Sequence, residues 1–185
     1  MGQVWQGAVA ERPLPCRIMP EPGRTRAEAH AAAFEAAQDE FIALVASLTD
    51  EQWHRVGRNY PVRINDEDER RSVGVIAHHV AINTPWIMER IEAMLAGRPL
   101  PSPGDIGAVN ARHAAEHADA SREEVLVLLR EQTALIAAAV RAIPDDQLDQ
   151  ARETPVGPMS VAQRIERVLI GHITMHQGSI RAAIA

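Results

Sequence analysis

Lysine is absent from this 185-residue sequence, and all 19 basic residues are arginine. They are scattered rather than gathered into a stripe that could follow phosphates, and the formal net charge is −6. A nucleic-acid partner is therefore not expected. A single cysteine, Cys16, excludes an internal disulfide, and it lies among prolines where a thiol would be exposed and loosely held. Aromatic residues make up only 3% of a chain that is 46% hydrophobic. The interior must then be built from Ala, Val, Ile, Leu and Met, a palette that favours packed helices over a sheet. No apolar run approaches the roughly 20 residues needed to cross a bilayer. The start, MGQVWQGAVAERPLP, lacks a basic segment followed by an apolar one. A soluble, cytoplasmic, single-domain protein with no membrane partner is the expectation.

Residues 1–24 hold Pro13, Pro15, Pro20 and Pro22 without any apolar period, and read as an irregular arm. A helical period follows in residues 25–48, with Phe34, Ala37, Phe41, Val45 and Leu48 at steps of three and four. The polar stretch from Thr49 to Arg71, with Pro61 and the acidic run Asp66 to Glu69, reads as a long surface loop. Ser72 can cap a second helix whose stripe is Val73, Ile76, Val80, Ile87, Ile91 and Met94, stopped by Gly97 and Pro99. Pro85 inside it should kink or break it. The connection from Gly97 to Ala120 is long enough to hold a short helix. Ser121 and Glu124 have the spacing of a capping box and open a third helix that Pro144 closes. After the loop around Pro155 and Pro158, Ser160 opens a fourth that runs to the C-terminus. Four amphipathic helices of about 20 to 28 residues match an all-α four-helix bundle spanning residues 25–185.

Eight histidines are present, and their helical positions separate them. His172 and His176, four residues apart, would bring two imidazoles to one helix face about 6 Å apart at Cβ. On a regular helix that face also carries Val161, Ile165, Val168, Leu169 and Ala183, so both rings should point inward. A buried polar group without a partner costs on the order of 1–3 kcal/mol, and one metal ion would satisfy both rings. Spacing alone favours a plainer reading, in which one ring bonds a neighbouring helix and the other meets water at the bundle end. Of His78 and His79 on the second helix, His79 lies about 90° from the centre of its stripe and His78 about 170°, so His79 is the better third ligand. His78 is expected in solvent or at an interface. The segment His113-Ala-Ala-Glu116-His117 fits the H-x-x-E-H pattern of inverted zincin peptidases, but it lacks an apolar stripe and reads as a chance match on a surface turn. His30 and His54 read as structural or surface residues.

The stretch Ser72-Val-Gly-Val-Ile-Ala-His-His79-Val-Ala, followed by Gly171-His172-Ile-Thr-Met-His176-Gln-Gly-Ser-Ile-Arg181, resembles the DinB-like, damage-inducible metalloprotein family. Trp53 soon after the first helix and a third helix after a long connection agree with it, and the resemblance covers roughly residues 25–185. It implies an up-down-down-up bundle with a divalent metal held by His79, His172 and His176. Some such proteins use a low-molecular-weight thiol, mycothiol or bacillithiol, as S-transferases or as maleylpyruvate isomerases. The expected function is metal-dependent thiol transfer to, or isomerisation of, a small electrophilic substrate. The alternatives are a non-catalytic metal-binding stress or interaction module and a metal-dependent hydrolase. Zinc, nickel and iron all suit three imidazoles. Asn83 and Trp86 are candidate pocket residues, equally explained by packing. Arg164, Arg167 and Arg181 are expected on a solvated face, and a homodimer through an exposed helix face is compatible with the pattern.

Overall fold

The structure, a computed structural model, describes residues 18–64, 67–100, 104–154 and 157–185. Cys16 and most of the Pro-rich arm, Asp66 of the acidic run and Pro155 lie outside them. The fold is largely helical. Its first helix, α1 (Arg26–Ser47), starts where Thr25 accepts from the Glu28 amide at 3.1 Å and the Glu28 carboxylate accepts from the Thr25 amide at 2.7 Å. This reciprocal arrangement satisfies two donors that the helix itself leaves open. It recurs at α2 (Asp50–His54) with Thr49 and Gln52, at α5 (Arg122–Arg141) with Ser121 and Glu124, and at α6 (Val161–Arg164) with Ser160 and Gln163. The third helix, α3 (Val73–Leu95), is capped by Ser72 alone, and α4 (Ile106–Glu116) by Asp105. Pro85 does not break α3, which runs helical through it to a stop at Gly97, where φ is +65°.

The stretch expected as a long loop is instead structured. It contains α2 and an antiparallel ribbon of β1 (Val56–Ile64) and β2 (Glu67–Ser72). Val56, Tyr60, Val62 and Ile64 alternate as a strand should, but Gly57, Pro61 and the charged residues between them dilute the signal. Pairing is regular from Val56↔Ser72 to Arg58↔Arg70 and resumes at Arg63↔Asp68. The irregularity falls around Pro61, which has no amide to give the ladder. A two-residue pair, β3 (Ala151–Arg152) with β4 (Met159–Ser160), leads into the last helical segment.

That last segment also departs from expectation. It is not one regular helix: α6 passes into a π-helical stretch, Ile165–Ile170, and then into α7 (Gly171–Ile184).

The core lies between α1, α3, α5 and the α6–α7 segment. Phe34 and Phe41 from α1, Ile76 and Ile91 from α3, Leu129 from α5 and Leu169 are fully buried. Each such side chain contributes about 1.5–3 kcal/mol over its exposed state. α1 and α5 run antiparallel: Arg122 at the start of α5 donates to the Leu48 carbonyl beyond the end of α1, and Arg141 at its end pairs with Glu35. The ribbon is closed onto α7 by a glycine, since a Cβ on Gly57 would lie 2.5 Å from that of Ala183.

Candidate metal centre

Ser72 fixes the first turn of α3 and so the azimuth of the residues above it, including His79 two turns on. From the facing segment, α7 supplies His172 and His176. The Nε2 atoms of these three rings converge: His79 to His172 is 3.3 Å and His172 to His176 is 3.2 Å. Each neutral ring offers at Nε2 either one proton or one in-plane lone pair. Three such atoms facing one another therefore cannot all be paired by hydrogen bonds. A cation at their centre resolves the conflict, and the spacing suits one, because tetrahedral zinc with bonds of 2.0–2.1 Å separates its ligand nitrogens by about 3.3 Å.

Burial reinforces this. It lowers the pKa of His172 to about 4. His79 and His176 are also pushed well below the ordinary histidine range, first by burial and then by neighbouring rings and Arg71. The three imidazoles are consequently neutral at physiological pH, the form in which they can donate to a metal. Their Nδ1 atoms differ. Those of His172 and His176 are buried without a hydrogen-bond partner among the described residues, whereas His79 Nδ1 lies 3.0 Å from the Asn83 amide nitrogen. The same nitrogen donates to the His79 carbonyl at 2.9 Å. Asn83, expected as a pocket residue, therefore touches a candidate ligand directly. Trp86 is one helical turn further on and partly exposed, with the Arg90 guanidinium 4.4 Å from its ring centroid.

Three residues that the sequence reading set aside stand beside this triad. His78 is 7% exposed rather than solvated, and its Nδ1 lies 2.8 Å from His113 Nε2. His117 stacks on His78 with ring centroids 4.1 Å apart. His113 is itself buried, so the H-x-x-E-H segment is not a bare surface turn. His78, His113 and His117 thus form a second triad, and one ligand nitrogen from each lies within 4.8 Å of the others. Burial and the neighbouring rings lower the pKa of His113 to about 4, and burial lowers that of His78. The two triads touch, with the His79 and His113 rings edge-on at 5.6 Å. The signal for the second triad was present in the i, i+4 spacing of His113 and His117.

Two arginines also correct the sequence reading. Arg71, at the end of β2, is buried, and its positive charge bears on His79, His113 and His176. Arg164 is buried as well, not solvated, whereas Arg167 and Arg181 are exposed as expected. His30 is a buried structural residue, its Nδ1 2.8 Å from the Arg26 carbonyl and its Nε2 3.2 Å from Glu166, while His54 is exposed.

Among the described residues no helix is long and apolar enough to cross a membrane. No curated protein matches the chain closely enough to name. The model of the DinB superfamily matches residues 33–180, a span that runs from α1 through both triads to α7. With a helical core and converging histidines on α3 and α7 inside that match, the chain belongs to the DinB superfamily.

Proposed function

We propose that His79, His172 and His176 hold one divalent metal ion, and that the centre serves thiol-dependent transfer to, or isomerisation of, a small electrophile. The approach of His172 Nε2 to within 3.3 Å of His79 Nε2 and 3.2 Å of His176 Nε2, with one ligand nitrogen of each ring inside 4.8 Å of the others, carries the first half of this reading. Three neutral ligands leave the ion its full charge and an open position, where it would lower the pKa of a bound thiol or water. The protein's own residues add to that preference. The ligand set contains no carboxylate, and Arg71 places a further positive charge beside His79 and His176. An anionic fourth ligand such as a thiolate is thereby favoured. Asn83 would orient the His79 ring. The bundle would follow the up-down-down-up order of the superfamily, with residues 1–24 as an arm outside it.

Metal content of tag-free protein and of His172→Ala tests the first half. A stoichiometric ion lost in the variant supports it, and unchanged metal content in the variant overturns it. Cobalt substitution tests the second. Mycothiol or bacillithiol should shift the visible spectrum of the cobalt protein, and electrophilic acceptors should then yield conjugate or isomer. A metal-loaded protein whose spectrum ignores thiols, azide and acceptors alike is a closed binding module rather than an enzyme.

A further inference from the structure

The six clustered histidines exceed what one metal centre uses, and the surplus is organised. His78 comes from α3, His113 from α4, and His117 from the residue that caps the C-terminal end of α4. Hydrogen bonding explains the first two, since one proton shared across 2.8 Å satisfies His78 Nδ1 and His113 Nε2. It does not explain His117, which stacks on His78 at 4.1 Å, lies tilted beside His113 at 4.9 Å, and brings a third ligand nitrogen within 4.8 Å of theirs. The surroundings differ from those of the first triad. His78 and His117 form part of the wall of a groove of about 770 Å³, whose rim carries Glu116, Asp119, Glu123 and Glu124. Glu124 is committed to the Ser121 cap, and Glu116 lies 4.0 Å from Arg112, but their charges still make the mouth attractive to cations.

We propose that His78, His113 and His117 are a second metal site, taking a zinc-like divalent ion directly from the acidic groove. Imidazole ligands select such borderline ions over calcium or magnesium, which prefer oxygen. Binding would open the His78–His113 contact from 2.8 Å to about 3.3 Å, the ligand separation of a tetrahedral ion. The groove supplies the remaining ligand as water or as a donor atom of a small molecule. This site is independent of the first: it uses different residues of α3 and none from α7.

The test is zinc stoichiometry by mass spectrometry after saturation and gel filtration, on wild type, His117→Ala, His117→Gln and His172→Ala. His117 is only half-buried, so its variants should keep the helical circular dichroism and melting temperature of the parent. The expected result is about two ions per chain in the wild type and about one in each variant. A cobalt titration of the wild type should show two successive sets of visible bands, with one set missing in His117→Ala. Full wild-type stoichiometry in both His117 variants overturns the second site, as does a wild type that saturates at one ion lost in His172→Ala. Loss of an ion in the His117 variants but not in His172→Ala upholds the second site and sinks the first.

Discussion

His78 and His79 are consecutive residues whose rings serve different triads: His78 Nδ1 lies 2.8 Å from His113 Nε2, and His79 Nε2 lies 3.3 Å from His172 Nε2. One turn of α3 therefore presents ligands to both sides. His79→Ala should weaken binding of the first ion by more than about 100-fold, whereas His78→Ala should leave that affinity within about threefold. Competition against a chromophoric chelator measures both. Equal losses in the two variants would show that the triads do not act separately.

Asn83 reports the tautomer of His79. With its amide nitrogen toward Nδ1, it favours a proton on Nε2, which a metal must displace. Once Nε2 holds metal, Nδ1 carries the proton and needs an acceptor, so the amide has to present its oxygen. Asn83→Asp, an acceptor without a competing donor, should bind metal more tightly than wild type. Asn83→Ala should bind it about 10-fold more weakly or worse. Identical affinities across the three proteins would remove Asn83 from the site.

Acid should destabilise the metal-free protein through its buried histidines. An unfolded chain takes up protons on histidine near pH 6.5, while folded His172 and His113 do so only at about 4. Between these values the unfolded state binds more protons, so stability is complete above about pH 6.5 and falls as pH drops toward 4, by at most ~1.4 kcal/mol per pH unit for a deeply buried ring. Urea midpoints across this window, compared with His172→Gln, should show a shallower slope in the variant. A slope that the substitution does not change would place the lost stability elsewhere.

Gly74 sets how closely α3 lies against Trp53. A Cβ there would sit 2.6 Å from Trp53 Cε2, and the indole is pinned because its Nε1 donates to the Ala120 carbonyl at 3.1 Å. Gly74→Ala should therefore cost about 1–3 kcal/mol despite alanine's better helix propensity. It should also loosen metal binding, since the strain enters α3 in the turn that precedes His79. Chemical denaturation and metal affinity on the same variant check both; a stabilised variant would mean the indole moves aside freely.

The sequence made the helices legible wherever their ends carry side-chain chemistry. Ser72, Ser121 and Ser160 mark true starts because each hydroxyl accepts an amide that the helix leaves open. The ribbon was hidden because charged residues and Pro61 interrupt its alternation. The first triad was legible in part from the shared apolar stripe of His172 and His176, and the set with His79 came from the resemblance to the DinB-like family, since spacing alone favours a plainer reading. The second triad was signalled only by the i, i+4 spacing of His113 and His117. His113 lies among alanines and polar residues on α4, and it is the packing of α4 beside α3 that buries it. Arg164 escaped for a related reason, since a charged residue gives no sequence sign that its helix face will be covered.

The π-helical stretch Ile165–Ile170 accommodates one residue more than a regular helix would over the same rise, and so offsets the phase of everything after it. His172 and His176 lie on the far side of that offset and must inherit it together. Regular winding of all the same residues would swing both rings away from His79 by roughly 100°, whereas deleting one residue between Ile165 and Ile170 together with the bulge would leave their phase nearly unchanged. The two ligands on α7 thus behave as one hereditary unit: length changes upstream of Gly171 retain the pair or discard it whole, whereas point substitutions remove its members singly.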